Sequence, residues 1–268
     1  MKIKIQNNLL WISAILLFFA TCKSKTEQDP LPNHTPDEIS KGKVSMHLHN
    51  YYDIKEVDDY NVTYENSNGR QISLEMAQLY MSNFEFVRAD GSSYTIPNSA
   101  VLKTQNVYKY ELGMVPAGTY TTFRFRLGLD STFNTGKEGA SLNKSLDNPS
   151  MWYNPLSKTG GYIFLNFKGK IDTTKGLSAD IAQMCNFNYK LGTSTMYKVV
   201  TMPASTIVVT AGKEELLHMI VDWNRVFNGI ELSNSNNLSI ETKEESNSAL
   251  TKRLSNNIAS MFLYEHVH

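Results

Sequence analysis

Cysteine and proline are scarce, at 2 and 8 in 268 residues. Two thiols cannot build a four-Cys zinc site or a disulfide framework. Excess charge of one sign is also missing: 26 basic side chains face 26 acidic ones. That balance argues against a nucleic-acid partner, which normally needs a clustered cationic surface. The longest apolar run, Leu9–Ala20, is broken only by Ser13 and is too short for a membrane-spanning helix, which needs roughly 20 residues. There is no Gly-x-Ser-x-Gly elbow, no phosphate-binding glycine loop and no His-Glu-x-x-His helix. No nucleophile, base and orienting group can be named together, so the expectation is a protein that is not an enzyme.

What the sequence has in quantity points to β-structure. It holds 25 Asn, 14 Tyr and 12 Phe, with 41% hydrophobic and 19% charged residues. Aromatics suit a pleated, half-buried surface and Asn suits turns. Val44–His49, Thr121–Leu127, Tyr162–Phe167, Phe187–Leu191 and Thr206–Val209 read as strands. Gln71–Val87 reads as two apolar stretches, and Val115–Tyr120 as a turn entering a strand. Leu216–Val226 reads as a strand that turns helical. Ala249–Phe262 spaces Leu250, Leu254, Ile258 and Phe262 by four, the pattern of an amphipathic helix. The expected fold is mainly β, an antiparallel β-sandwich with one or two C-terminal helical segments.

The N-terminus reads as an export signal. Lys2 and Lys4 precede the apolar run, which ends in Phe19-Ala20-Thr21-Cys22 and then polar residues. A Cys after small residues at that point resembles a bacterial lipobox, in which the thiol is acylated. Cleavage by an ordinary signal peptidase is the other reading. The expected organisation is a signal peptide over 1–21, a lipid-anchored flexible tether over 22–42 containing Pro30, Pro32 and Pro36, and a folded domain over 43–268. Removing 1–21 takes two lysines and no acids, so the mature chain carries 24 basic and 26 acidic residues, net −2. The expected location is the Gram-negative envelope, as an outer-membrane lipoprotein on its periplasmic or surface face.

Four of the six histidines fall in His-x-His pairs, His47 with His49 and His266 with His268. Residues i and i+2 of a strand share a face, with Cβ atoms roughly 7 Å apart, so both imidazoles can reach one metal ion. Imidazole suits copper and zinc. Each pair alone reads first as two surface or capping histidines, and the two combine only if the chain's end packs beside the first strand. Met151-Trp152-Tyr153 sits in an otherwise polar loop, either as a plug of the sandwich end or as part of a ligand site. Asp130 and Asn134 suit a loop whose side chains accept backbone hydrogen bonds or, alternatively, hold a hard cation, although the spacing does not match an EF-hand. Cys185 reads as a structural thiol.

Several segments, taken in order, resemble the MbnP-like family of exported proteins, associated with copper and methanobactin handling. They are Leu79–Phe86, Val115–Tyr120, Gly128–Ser131 with Asn134, Met151-Trp152, Gly161–Leu165 with Lys168-Gly169, Phe187–Gly192 and Met261–His268. The resemblance spans about Val44–His268. It implies a β-sandwich without catalytic activity and a copper site built on His, with a Trp that some relatives oxidise to kynurenine. Carried onto this chain, the site is His47, His49, His266 and His268 with Trp152 nearby, and the partners are a copper ion or a copper-handling protein. The chain departs from the family pattern at Asn154-Pro155 and at Lys190, where the resemblance leads one to expect His. The competing reading is a surface module whose Trp152 and Tyr153 face a glycan or a protein partner.

Overall fold

The computed structural model describes residues 40–134, 143–175, 183–192, 196–243, 245 and 248–265. The elements, in chain order, begin with β1 (Lys41–Tyr52), β2 (Lys55–Glu56), β3 (Thr63–Glu65), β4 (Gln71–Val87), β5 (Ser93–Thr95) and β6 (Ala100–Lys103). There follow β7 (Lys109–Pro116), β8 (Gly118–Tyr120), β9 (Thr122–Leu127), β10 (Trp152–Asn154), β11 (Thr159–Tyr162) and β12 (Leu165–Asp172). The last are β13 (Met184–Leu191), β14 (Lys198–Thr201), β15 (Ile207–Val209), β16 (Glu214–Asp222), β17 (Ser239–Ile240), the helix α1 (Ala249–Ala259) and β18 (Phe262–Tyr264). No helix among the described residues is long and apolar enough to cross a membrane.

Two sheets carry the fold, as the β-sandwich expectation requires. One runs β18-β16-β1-β2 with β7 also on β1; the other runs β14-β9-β4-β12-β13-β17 with β3, β5 and β6 also on β4. Strict alternation makes the layers. In β9, Phe123, Phe125 and Leu127 are buried while Arg124 and Arg126 are half-buried on the other face. Aromatic rings meet between them: Phe167 of β12 stacks on Trp223, just past the end of β16, with centroids 4.9 Å apart, and Phe125 of β9 meets Phe262 of β18 at 4.9 Å. The pairing is mostly antiparallel, but β1 and β16 run parallel, and so do β13 and β17.

Several boundaries differ from the sequence reading, each for a local reason. Strand β1 starts at Lys41, so the last two residues of the expected tether belong to the sheet. The two stretches of Gln71–Val87 form one 17-residue strand. Its register shifts between Ser82 and Glu85, where Asn83 takes a left-handed φ of 54°. The expected strand Tyr162–Phe167 is broken instead. The N–H of Ile163 donates to Met151 O at 2.9 Å and that of Phe164 to Leu191 O at 2.6 Å, taking both off the ladder. Gly128 makes room there: at φ +86°, a Cβ on it would lie 2.3 Å from the Phe164 ring. Helix α1 ends at Ala259, and Phe262, expected as its last apolar position, belongs to β18. After β16 the chain turns through a short 3-10 segment, Trp223–Phe227, capped by the Asp222 carboxylate, which accepts from Asn224 N at 3.1 Å.

Candidate metal centre

The alternation of β1 decides where the first histidine pair points. Val44, Met46, Leu48 and Tyr52 are buried, while His47 and His49 stand half-exposed on the opposite face. The parallel partner then adds a third imidazole. In the β1–β16 register His47 lies directly beside His218, across a sequence separation that no local pattern spans. The ring centroids of His47 and His49 are 4.3 Å apart, and those of His47 and His218 5.4 Å. Tyr108, held beside β1 by Leu48 N–H donating to Tyr108 O at 2.8 Å, has its ring 6.1 Å from His49 and 6.4 Å from His47.

Two carboxylates complete the cluster. The turn after β1, with Asp53 at φ 59°, brings β2 back so that Glu56 pairs with Tyr51 and its Oε1 closes on His49 Nδ1. Strand β18 runs antiparallel to β16, and just beyond it Glu265 N–H donates to His218 O at 3.1 Å. Its Oε2 lies 3.4 Å from His218 Nδ1 and 3.8 Å from His49 Nε2. His49 Nε2 is 3.1 Å from His47 Nδ1. The Glu56 carboxylate can only accept, so the His49 nitrogen facing it carries a proton. Burial, aided by His49 and His218, pulls the His47 pKa below the ordinary imidazole value, against the opposing pull of Glu265 and Glu56. A neutral imidazole is the form that ligates.

The cluster brings together three imidazoles and a carboxylate, donor types that transition-metal ions take. They form a chain of near contacts, His47 Nδ1 to His49 Nε2 at 3.1 Å, His49 Nε2 to Glu265 Oε2 at 3.8 Å and Glu265 Oε2 to His218 Nδ1 at 3.4 Å. Metal–nitrogen bonds of ~2.0 Å place tetrahedral donors about 3.3 Å apart and square-planar neighbours about 2.8 Å apart. Among the described residues, no group of three or more His, Cys, Asp or Glu side chains is placed so that it could hold a metal ion.

Of the residues expected at the site, His47 and His49 are brought together. His266 and His268 lie outside the described residues, as does Cys22. The neighbouring β18 does reach the histidine strands, through β16. Trp152, expected near the histidines, is on β10 and packs on Tyr162 with centroids 3.9 Å apart. Phe167 points into the core, so its neighbours Asn166 and Lys168 face the outer side of the second sheet, where they line a cleft with Trp152 and Lys190. The histidines occupy the outer side of the first sheet, so Trp152 and Lys190 belong to a different surface.

His218 and Glu265 were not singled out from the sequence. The available signal was that His218 holds an outward position in an alternating strand, between buried Leu217 and Met219. Asp130 behaves as expected: its Oδ1 accepts from Thr132 N at 2.9 Å and Phe133 N at 3.2 Å. Cys185 is half-buried, with its sulfur 3.4 Å from Thr173 Oγ1.

The sequence model of the family described as MbnP matches residues 41–244, which holds every strand from β1 to β17. The chain belongs to the MbnP family. That family is associated with methanobactin and copper handling. Among solved structures, the chain is similar to MbnP from Methylosinus trichosporium at 16% identity, covering 75% of this chain and 83% of that one, with a TM-score of 0.48. A search of the curated proteins returns no match. The MbnP match ends before β18, so Glu265 lies beyond the matched segment, whereas His47, His49, Glu56 and His218 lie within it.

Proposed function

We propose that this MbnP-family protein is an exported lipoprotein that binds one copper ion through His47, His49 and His218, with Glu265 as a fourth donor. The observation that carries the reading is the β1–β16 register, which sets His47 beside His218 on a surface that already holds His49. Three imidazoles and a carboxylate are a borderline donor set that favours copper over the hard cations. The family's association with copper handling supports the choice of ion. The role is binding or delivery of the ion, to or from a copper-handling partner, without catalysis. Cys22 would carry the lipid that holds the protein at the outer membrane, with the segment before β1 as its tether.

Replacing His47 and His49 together with Ala tests the site. Copper titration of the purified protein should show one tight site, and the double variant should lose it. Undiminished binding in that variant contradicts the assignment. For the anchor, Cys22→Ser should release the protein from the membrane fraction, and retention there contradicts lipid attachment.

A further inference from the structure

The chain carries two Asn-Gly pairs, Asn68-Gly69 and Asn228-Gly229, and one Asp-Gly pair, Asp90-Gly91. Such pairs are chemically labile. With no side chain on the glycine, its backbone nitrogen can reach the preceding side-chain carbonyl and close a succinimide ring, provided that nitrogen is free. The fold treats the three pairs differently. In the β3–β4 and β4–β5 hairpin turns the glycine comes last and its N–H closes the turn. Gly69 N–H donates to Asn66 O at 2.9 Å, and Gly91 N–H to Arg88 O at 3.0 Å. In the turn after the 3-10 segment the glycine comes third, and the closing bond runs instead from Ile230 N–H to Phe227 O at 3.0 Å. Asn228 at φ −56° and ψ 120°, followed by Gly229 at φ 65°, makes this a type II turn. Both residues are exposed. Among the described residues, neither the Gly229 N–H nor the Asn228 side-chain amide has a hydrogen-bond partner.

We infer that Asn228 is a modification site, converting spontaneously to aspartate and isoaspartate while Asn68 is protected by the fold. The Gly229 nitrogen attacks Cγ of Asn228. The new N–Cγ bond forms, the Cγ–Nδ2 bond breaks, and the displaced nitrogen leaves as ammonia, taking up the amide proton through solvent. Water then opens the ring at either carbonyl. Ring closure also requires the peptide plane between 228 and 229 to turn, and a glycine in third place accepts both type II and type I geometry. One bond opposes that rotation: Asn257 Nδ2 donates to Asn228 O at 2.8 Å. The rate is therefore set by how often α1 releases this carbonyl. The same turn docks α1 on the 3-10 segment, with Asn257 Nδ2 also on Val226 O at 2.9 Å and Arg253 Nη1 on Gly229 O at 3.0 Å. Isoaspartate routes the main chain through the side-chain carbon and lengthens it, so the modification loosens the helix that gates it.

The test is peptide mapping by mass spectrometry of the full chain aged in mildly alkaline buffer, folded and in denaturing urea. In the folded protein, amide-to-acid conversion at Asn228 should run at least fivefold faster than at Asn68, and in urea the two rates should converge. Asn257→Asp, which keeps the shape and removes the donor to Asn228 O, should speed conversion at Asn228 threefold or more and leave Asn68 unchanged. Asn257→Ala should do the same, and circular dichroism melts identify which of the two variants is folded. Equal rates at the two asparagines in the folded protein, a faster Asn68, or an intact Asn228 under conditions that convert both in urea overturns the inference. So does an unchanged Asn228 rate in a folded Asn257 variant.

Discussion

His49 is engaged through both ring nitrogens, one toward Glu56 and the other toward His47 and Glu265. In the proposed copper site, Glu56 would act only through the orientation and tautomer of His49. Glu56→Gln should keep the one-to-one stoichiometry but weaken copper affinity by about 10–100-fold, the usual effect of removing such a partner. A titration showing full affinity in that variant would remove Glu56 from the account. The His47–His49 pair was legible in the sequence because its spacing matches the two-residue period of a strand. His218 was not legible, because what places it is the pairing of two strands about 170 residues apart. The sequence reading also joined Trp152 to the histidines; adjacency in the family pattern carries no information about which sheet face a residue occupies.

At the scale of elements, β4 and β9 are tied by more than their ladder. Arg124 makes a bidentate pair with Glu85, donating from Nε at 2.6 Å and from Nη2 at 2.7 Å, and Ser93 Oγ also donates to it. The Arg124 hydrogen bonds hold the Glu85 pKa down to about 2. A carboxyl depressed in the fold stabilises it above its unfolded value near 4.5, and that contribution disappears as pH falls towards 2. Arg124 is 41% exposed, so screening reduces the pair to about 1 kcal/mol. Urea melts should show Glu85→Gln less stable than the parent at pH 7 and nearly equal to it at pH 2.5. A difference that persists at pH 2.5 would mean the loss is not electrostatic.

Most strands were legible as alternation, and α1 through Leu254 and Ile258, which are fully buried. The breaks were not: the interruption at Ile163-Phe164 comes from hydrogen bonds to Met151 and Leu191, partners remote in sequence. Short strands such as β6 and β14 carry too few residues to show a period.

Across the whole molecule, the two layers meet on aromatic residues. Trp223 is fully buried, stacks on Phe167 and donates from Nε1 to Asn50 Oδ1 at 3.0 Å. Trp223→Ala should cost about 3–5 kcal/mol and lower the melting temperature by roughly 6–20 °C, because it opens a cavity between the sheets and orphans Asn50. A melt within a degree or two of the parent would show that this contact does not hold the layers together. The sandwich followed from strand count and composition. The parallel β1–β16 pair did not, because an all-β pattern rich in turns favours antiparallel neighbours. That exception is also what builds the histidine cluster.

The central claim is that two distant strands assemble one copper site, and His218 is the residue only the fold supplies. The deciding measurement is copper per chain by mass spectrometry, on untagged protein loaded with copper and desalted, for the parent and for His218→Ala. The account predicts close to one copper in the parent and a large loss in the variant. Equal retention in both, or none in the parent, contradicts it.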